Sequence, residues 1–168
     1  NERSALLNFT CEIESIEETK VHIHLSNEGV KLSEQLFDIQ KGIHEYEFTA
    51  EIKDPELWWP NGLGEARLYD FKLEVKKGKT VFAEQNIQYG IRTVELVQEN
   101  DEAGASFYFQ VIGIPVFMKG ANYIPQDNFQ NNVTKEKYEK LIKSAKDAGM
   151  NMLRVWGGGI YEEDIFYD

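Results

Sequence analysis

Apolar and polar residues alternate along the first half of the chain. Val21, Ile23 and Leu25 are separated by polar residues, and the same period of two recurs over 44–49 and 71–76. Such alternation predicts strands with one buried face and one solvent-facing face, the pattern of antiparallel sheets. Short glycine-containing segments between them predict turns. Six or seven such strands in roughly 95 residues are typical of an immunoglobulin-like β-sandwich.

The pattern changes in the second half of the chain. Residues 107–118 contain two apolar segments around a Gly-Ile-Pro turn and predict a hairpin. After a polar loop over 122–133, apolar residues spaced three and four apart predict a helix with Thr134 as N-cap and Gly149 at its C-terminus. Residues 151–156 follow as a mostly apolar strand. Strand, helix and strand in this order predict a βαβ unit with parallel strands.

These patterns predict a mainly β chain with two domains. Residues 1–97 are predicted to form the antiparallel β-sandwich, and residues 98–168 the N-terminal part of a (β/α)8 barrel, truncated after one βαβ unit. A complete barrel needs about 250 residues, far more than this second part contains. Because the chain starts at Asn1 and stops within an acidic, helix-like segment, we expect it to be a piece of a longer protein. The remaining domains of that parent would then be its partners.

Composition and charge exclude several classes of function. The chain carries 29 acidic and 18 basic residues, a formal net charge of -11. Nucleic acids and anionic membranes are therefore not expected as partners, because binding them relies on clustered Lys and Arg. No apolar run reaches the 18 residues that a membrane-spanning helix requires. The single cysteine, Cys11, cannot form an internal disulfide.

The sequence predicts neither a metal site nor a cofactor. His22 and His24 share one strand face but have no Cys or carboxylate at ligand spacing, so a solvated sheet face is expected there. The glycine run 157–159 lacks the Lys-Ser/Thr sequel of a phosphate-binding loop. The acidic residues 162–164 would repel a phosphate, and we interpret them as favourable charges at the N-terminus of a second helix. No Gly-x-Ser-x-Gly motif is present.

The residues most suited to ligand binding lie at the end of the second predicted parallel strand. Arg154 and Trp156 occupy this end, and strand carboxyl ends face the active-site mouth in barrels. A buried Arg needs a partner, and an indole offers an apolar face on which a sugar ring could stack. The alternative is that Trp156 belongs to the core and Arg154 pairs with a structural carboxylate.

A second alternative concerns the predicted sandwich. Trp58 and Trp59 could form an aromatic platform, which would make the chain a non-catalytic module that binds carbohydrate or scaffolds another domain. They could equally anchor their loop to its own core or to the next domain, and we favour this interpretation.

Four segments resemble glycoside hydrolase family 2. Two are similar to the sandwich domain and its junction with the barrel, and two resemble the first barrel strands of the β-mannosidase branch. In that order they are Leu-Trp-Trp-Pro-Asn-Gly at 57–62, Tyr-Gly-Ile-Arg-Thr-Val-Glu at 89–95, Lys-Gly-Ala-Asn-Tyr-Ile-Pro at 119–125, and the segment 151–162 with its Arg-Val-Trp-Gly-Gly-Gly run. The sandwich motifs are shared across the family, so an exo-β-glucosaminidase or a β-galactosidase remains an alternative.

The resemblance implies a retaining exo-acting hydrolase of terminal non-reducing β-D-mannose, with a β-mannoside oligosaccharide or glycan as substrate. Such enzymes use two carboxylic acids about 5 Å apart. In the family both are glutamates on later barrel strands, so no catalytic residue is assigned here and the chain alone is expected to be inactive. A periplasmic, secreted or lysosomal location would fit the resemblance.

The resemblance also implies supporting roles for individual residues. Arg154 would keep the nucleophile ionised and oriented, and Trp156 would form a wall of the subsite for the terminal sugar. Asn122 and Asp127, on the first strand-to-helix connection, would line the pocket. Asp127 has an ordinary loop role as its alternative.

Overall fold

The computed structural model describes residues 3–167, which fold as two compact units. The first unit runs to Trp58 and resumes over Arg67–Ile91. The second contains Trp59–Ala66 and the chain from Arg92 onward.

The first unit consists of six strands in two antiparallel sheets. The strands are β1 (Ser4–Ser15), β2 (Thr19–Asn27), β3 (Val30–Ile39), β4 (Gly42–Lys53), β5 (Tyr69–Lys77) and β6 (Thr80–Tyr89). One sheet pairs β1 with β4, and the other has the order β3-β2-β5-β6.

The two sheets share one apolar core. Ile23 of β2 and Phe71 of β5 are fully buried, as the alternation predicts. From the other sheet, Phe9 stacks on Phe48 with ring centroids 5.2 Å apart and meets Phe71 edge-on at 5.7 Å. Close-packed aromatic pairs of this kind add to the stabilisation from area burial. The predicted β-sandwich is confirmed.

Each of the two neighbouring tryptophans is packed within its own unit. A Cβ placed on Gly90 would lie 2.6 Å from the Trp58 indole in the first unit, and one on Gly64 would lie 2.7 Å from the Trp59 indole in the second. Both indoles are half-buried. This packing supports the anchoring role over an open aromatic platform.

The second unit contains short strands and one α-helix. Its elements are β7 (Val94–Val97), β8 (Asn100–Asp101), β9 (Gly104–Ala105), β10 (Tyr108–Val111), β11 (Ile114–Val116), β12 (Gly120–Tyr123), a 3-10 helix (Gln130–Asn132), α1 (Lys135–Asp147), β13 (Met152–Val155) and a second 3-10 helix (Asp164–Phe166). The sheets are β11-β10-β7, the hairpin β8-β9 and the pair β12-β13.

The pair β12-β13 is parallel and is connected through α1, which makes the predicted βαβ unit. The side chain of Asn151 forms two hydrogen bonds at the start of this strand pair. Its Oδ1 accepts from the backbone N–H of Lys119 at 2.8 Å, and its Nδ2 donates to the carbonyl of Phe117 at 3.1 Å. The mainly β fold class, a sandwich followed by the start of a barrel, is thereby confirmed.

Helix α1 has the predicted bounds and capping positions. Thr134 occupies the N-cap position without a side-chain hydrogen bond, and Gly149 adopts φ +75° after the helix. At the C-terminal end, Asn61 Nδ2 donates to the carbonyls of Lys146 and Met150, at 2.9 and 3.0 Å. The loop that carries Asn61 therefore adds a side-chain donor at this end of the helix, where the N–H of Gly149 also donates to the Lys146 carbonyl at 3.0 Å.

The predicted second helix is wrong in extent. Residues 160–163 have no regular structure, and one 3-10 turn follows at Asp164–Phe166. The reason is that Glu162 is turned inward, with 6% of its surface exposed, instead of facing solvent in a first helical turn. Within residues 3–167, no helix has the length and apolar character needed to cross a membrane.

Candidate functional site

Three of the four predicted ligand-binding residues, Asn122, Arg154 and Trp156, lie at the carboxyl ends of β12 and β13. Parallel pairing places Asn122 opposite Arg154, and Arg154 Nη1 donates to Asn122 Oδ1 at 3.2 Å. A guanidinium carries five N–H donors, of which this bond uses one. The pair therefore presents a cation with further donors, oriented by a neighbouring amide.

Arg154 is exposed, which corrects the expectation of a buried side chain. Its side-chain hydrogen bond within residues 3–167 is to the Asn122 amide, and the alternative of a structural carboxylate partner stays a prediction. The physical reason for the exposure is the size of the sheet. Among the described residues β13 pairs with β12 alone, so no second strand flanks Arg154.

Trp156 follows β13 and is fixed by its backbone. Its N–H donates to the carbonyl of Tyr123 at 2.8 Å, and its carbonyl accepts from the N–H of Gly159 at 3.0 Å. The side chain is 47% exposed, so the alternative of a core residue is wrong. An exposed indole on a fixed backbone offers an apolar surface to a ligand.

Asp127 has a different environment from the other three predicted residues. Its Oδ1 accepts from the backbone N–H of Phe129 at 2.9 Å and from Asn132 Nδ2 at 3.3 Å. The hydrogen bond from Phe129 lowers the pKa of the Asp127 carboxyl below its ordinary value. No hydrogen bond between described residues joins Asp127 to Arg154, and its observed contacts are those of a loop-forming residue.

A buried acid–phenol pair joins helix α1 to the segment that follows the glycine run, and the sequence does not predict it. Tyr138 of α1, 2% exposed, donates its hydroxyl hydrogen to Glu162 Oε2 in a short hydrogen bond. The backbone N–H of Glu162 donates to Tyr167 Oη at 3.3 Å. Burial, and then the Glu162 carboxylate, raise the pKa of Tyr138 well above its ordinary value. Burial likewise raises the pKa of Tyr123.

Aromatic packing attaches the same segment to β12 and α1. The Phe166 ring stacks on Tyr123 at 5.1 Å with an interplanar angle of 19°, and meets Tyr138 edge-on at 5.6 Å. Gln130 Nε2 also donates to the carbonyl of Tyr161 at 2.6 Å. The glycine run 157–159 therefore lies between two residues with hydrogen-bonded backbones, Trp156 and Tyr161.

The geometry suits binding and orientation more than bond cleavage. The two strand ends present an amide, a guanidinium and an indole, while one carboxylate oxygen of Asp127 and one of Glu162 accept the bonds described above. Residues 3–167 hold no group of three or more His, Cys, Asp or Glu side chains that could bind a metal ion. The arrangement can donate hydrogen bonds to an anionic or hydroxyl-rich ligand and stack against it.

The known proteins that are similar to this chain include β-mannosidases. The chain is 36% identical over 168 residues to "Beta-mannosidase B" of Aspergillus clavatus, and 45% identical over 115 residues to "Beta-mannosidase" of Capra hircus. These alignments cover 99% and 67% of this chain, but 20% and 13% of the two relatives. The chain thus spans about a fifth or less of the length of these relatives.

A solved structure shows the same fold. The crystal structure of the β-D-mannosidase from Dictyoglomus thermophilum superimposes with a TM-score of 0.89 at 41% identity, over 98% of this chain and 21% of that one. The sequence profile of the glycosyl hydrolases family 2 matches residues 1–92, more than half of the chain. The chain therefore belongs to glycosyl hydrolase family 2.

Proposed function

We propose that this chain is part of a retaining exo-acting β-mannosidase that hydrolyses terminal non-reducing β-D-mannose. The observation that carries the proposal is the Asn122–Arg154 pair beside an exposed Trp156, in a chain similar throughout to β-mannosidases. The substrate would be a β-mannoside oligosaccharide or glycan. The net charge of -11 argues against nucleic acids and anionic membranes as further partners.

In this proposal the chain supports catalysis and does not perform it. Retaining glycosidases use one carboxylic acid to protonate the leaving oxygen and one carboxylate to attack the anomeric carbon. Arg154 would hold that carboxylate ionised and aimed, because an adjacent cation favours the charged form. Asn122 would orient Arg154 through its 3.2 Å bond. Trp156 would form a wall of the sugar subsite.

Asp127 stays in the proposal as a pocket-lining residue with the weakest support, because its carboxylate is already used by Phe129 and Asn132. We further propose that residues 1–97 form the sandwich domain of the parent and that residues 98–168 begin its barrel. Strand β7 (Val94–Val97), which pairs with β10 in the second unit, would then lie at the boundary between them. The other family 2 activities are less favoured, since the relatives described above are all named β-mannosidases.

We expect the 168-residue chain to hydrolyse 4-nitrophenyl β-D-mannoside no faster than buffer does. The reason is that neither strand end carries a carboxylate placed for acid or nucleophile chemistry. Release of nitrophenolate at pH 5–7 measures this. Turnover above the buffer rate, retained after a second purification step, would show that the chain contains its own catalytic pair.

We expect weak, saturable binding of methyl β-D-mannoside at the carboxyl ends of β12 and β13. In a 15N NMR titration the Trp156 indole and the Asn122 side chain should shift, and Trp156→Ala should lower the affinity about tenfold, as loss of an aromatic contact implies. Methyl β-D-galactoside serves as the matched sugar. Shifts confined to Trp58 or Trp59 would favour the non-catalytic sandwich module instead.

A further inference from the structure

Three consecutive glycines, Gly157, Gly158 and Gly159, follow Trp156 without a conformational need for glycine. Among the described glycines, seven have a left-handed φ, and none of these three is one of them. Their φ angles therefore lie outside the left-handed region that favours glycine. The space around each of the three then decides whether a side chain fits.

The space available to an added Cβ atom differs among the three glycines. A Cβ on Gly158 would lie 2.4 Å from Cζ2 and 2.5 Å from Cη2 of Trp156, distances that real Cβ atoms do not show. A Cβ on Gly159 would approach Pro125 at 3.2 Å. On Gly157 the nearest atom would be Arg154 Nη2 at 3.9 Å, an ordinary contact. Gly158 is therefore the position at which the indole excludes a side chain.

The indole cannot avoid such a Cβ by a movement of its own backbone. The Trp156 N–H is bonded to the carbonyl of Tyr123, and its carbonyl closes a turn with the N–H of Gly159. Any added atom on Gly158 must consequently be accommodated by rotation of the Trp156 side chain or by opening of the turn.

We infer that Gly158 is a positioning residue, whose bare backbone seats the six-membered ring of the Trp156 indole. This seat fixes how much of the indole faces the ligand, 47% in the present structure, and thereby the stacking of a pyranoside ring on it. The stacking part of the inference rests on the proposed function. The steric part stands on the contact between Gly158 and Trp156 alone.

The test compares Gly158→Ala with the matched variant Gly157→Ala in chains labelled with 5-fluorotryptophan. The three tryptophans give three 19F resonances, and Trp156→Phe assigns one of them. We expect Gly158→Ala to move the Trp156 resonance while those of Trp58 and Trp59 stay in place. Amide exchange at 156–159 should accelerate roughly tenfold, as expected when one methyl group overpacks a site. Gly157→Ala should leave all of these unchanged.

A double variant shows whether the effect of Gly158→Ala comes from its contact with the Trp156 indole or from a general loss of structure. In a Trp156→Phe background the smaller ring leaves room for the methyl group, so Gly158→Ala should no longer accelerate exchange at 156–159. The inference is overturned if Gly158→Ala leaves the Trp156 resonance unmoved, if Gly157→Ala moves it equally, or if the Phe background gives no rescue.

The mannoside titration then distinguishes this inference from the proposed function. If Gly158→Ala moves the indole while the unmodified chain binds no methyl β-D-mannoside, the seat stands and the proposed function fails. If the unmodified chain binds and Gly158→Ala, with a moved indole, binds equally well, the proposed function stands and the stacking role of the seat is overturned.

Discussion

Replacement of Gly120 by alanine is expected to abolish the parallel pairing of β12 with β13. A Cβ on Gly120 would lie 2.0 Å from the carbonyl oxygen of Met152 and 2.9 Å from its carbonyl carbon. Extra methyl or methylene groups in a well-packed core cost about 1–3 kcal/mol and occasionally more. Here the obstructing atoms belong to the paired backbone itself, so we expect a cost above that range and loss of the ladder.

Hydrogen exchange followed by mass spectrometry measures this loss. Amides of 120–123 and 152–156 should exchange as fast as those of an open loop in Gly120→Ala, while β2 and β5 of the first unit keep their protection. Gly157→Ala is the matched control, because it adds the same methyl group to the second unit without a close contact. Unchanged protection of the Trp156 amide in Gly120→Ala would contradict the prediction.

Local periodicity was sufficient to predict the elements that depend on one buried face. In β2 the apolar residues Ile23 and Leu25 lie inward because alternate positions of a strand face opposite sides. The order strand, helix, strand likewise predicted the parallel pair β12-β13, since parallel strands need a crossover connection. These features follow from properties that neighbouring residues carry themselves.

The sequence could not predict features set by residues distant along the chain. Glu162 and Glu163 are adjacent glutamates with the same local pattern, yet Glu162 is buried against Tyr138 and Glu163 is exposed. Acidic residues are rarely buried, so an exposed helix start was the natural prediction. The signal that could have indicated a partner is the Tyr138 hydroxyl within an apolar helix stripe, although it does not specify which residue accepts the bond.

The candidate site was predictable in position but not in environment. Asn122 and Arg154 were placed together because both end parallel strands, and the structure brings them into hydrogen-bonding distance. Exposure of Arg154 depends on how many strands flank β13, which its apolar neighbours in sequence do not reveal. The close approach of Gly120 to Met152 depends in the same way on the partner strand.

Tyr138→Phe is expected to destabilise the second unit strongly, and Glu162→Gln less strongly, because an amide oxygen still accepts from the Tyr138 hydroxyl but in a weaker hydrogen bond than a carboxylate does. Phenylalanine leaves the buried Glu162 carboxylate without its donor, and an unsatisfied buried polar group costs about 1–3 kcal/mol, more when it is charged. Denaturant titration followed through exchange at α1 and 164–167 measures the loss. Glu163→Gln is the matched control, and an exposed substitution should stay within about 0.5 kcal/mol.

The coupling between the two residues tests whether they act as a pair. In Tyr138→Phe/Glu162→Gln the loss should be smaller than the sum of the single losses, since both variants act on one hydrogen bond: Phe removes its donor, and Gln replaces its carboxylate acceptor by an amide oxygen. Additive losses would show that the two residues stabilise the unit independently. Equal behaviour of Glu162→Gln and Glu163→Gln would contradict the burial of Glu162.

The stability of the chain at alkaline pH provides a second measurement of the same pair, and it should fall as the pH rises. The pKa of Tyr138 is raised above its ordinary 10.0 by burial and by Glu162, so the folded chain keeps a proton that the unfolded chain loses. Its contribution to stability is therefore complete below pH 10 and is lost as the pH rises further. Tyr138→Phe should reduce the steepness of that loss, leaving the part that comes from Tyr123, whose pKa is also raised. Identical slopes above pH 10 for Tyr138→Phe and Glu163→Gln would mean that the Tyr138 phenol gains no protection from the fold.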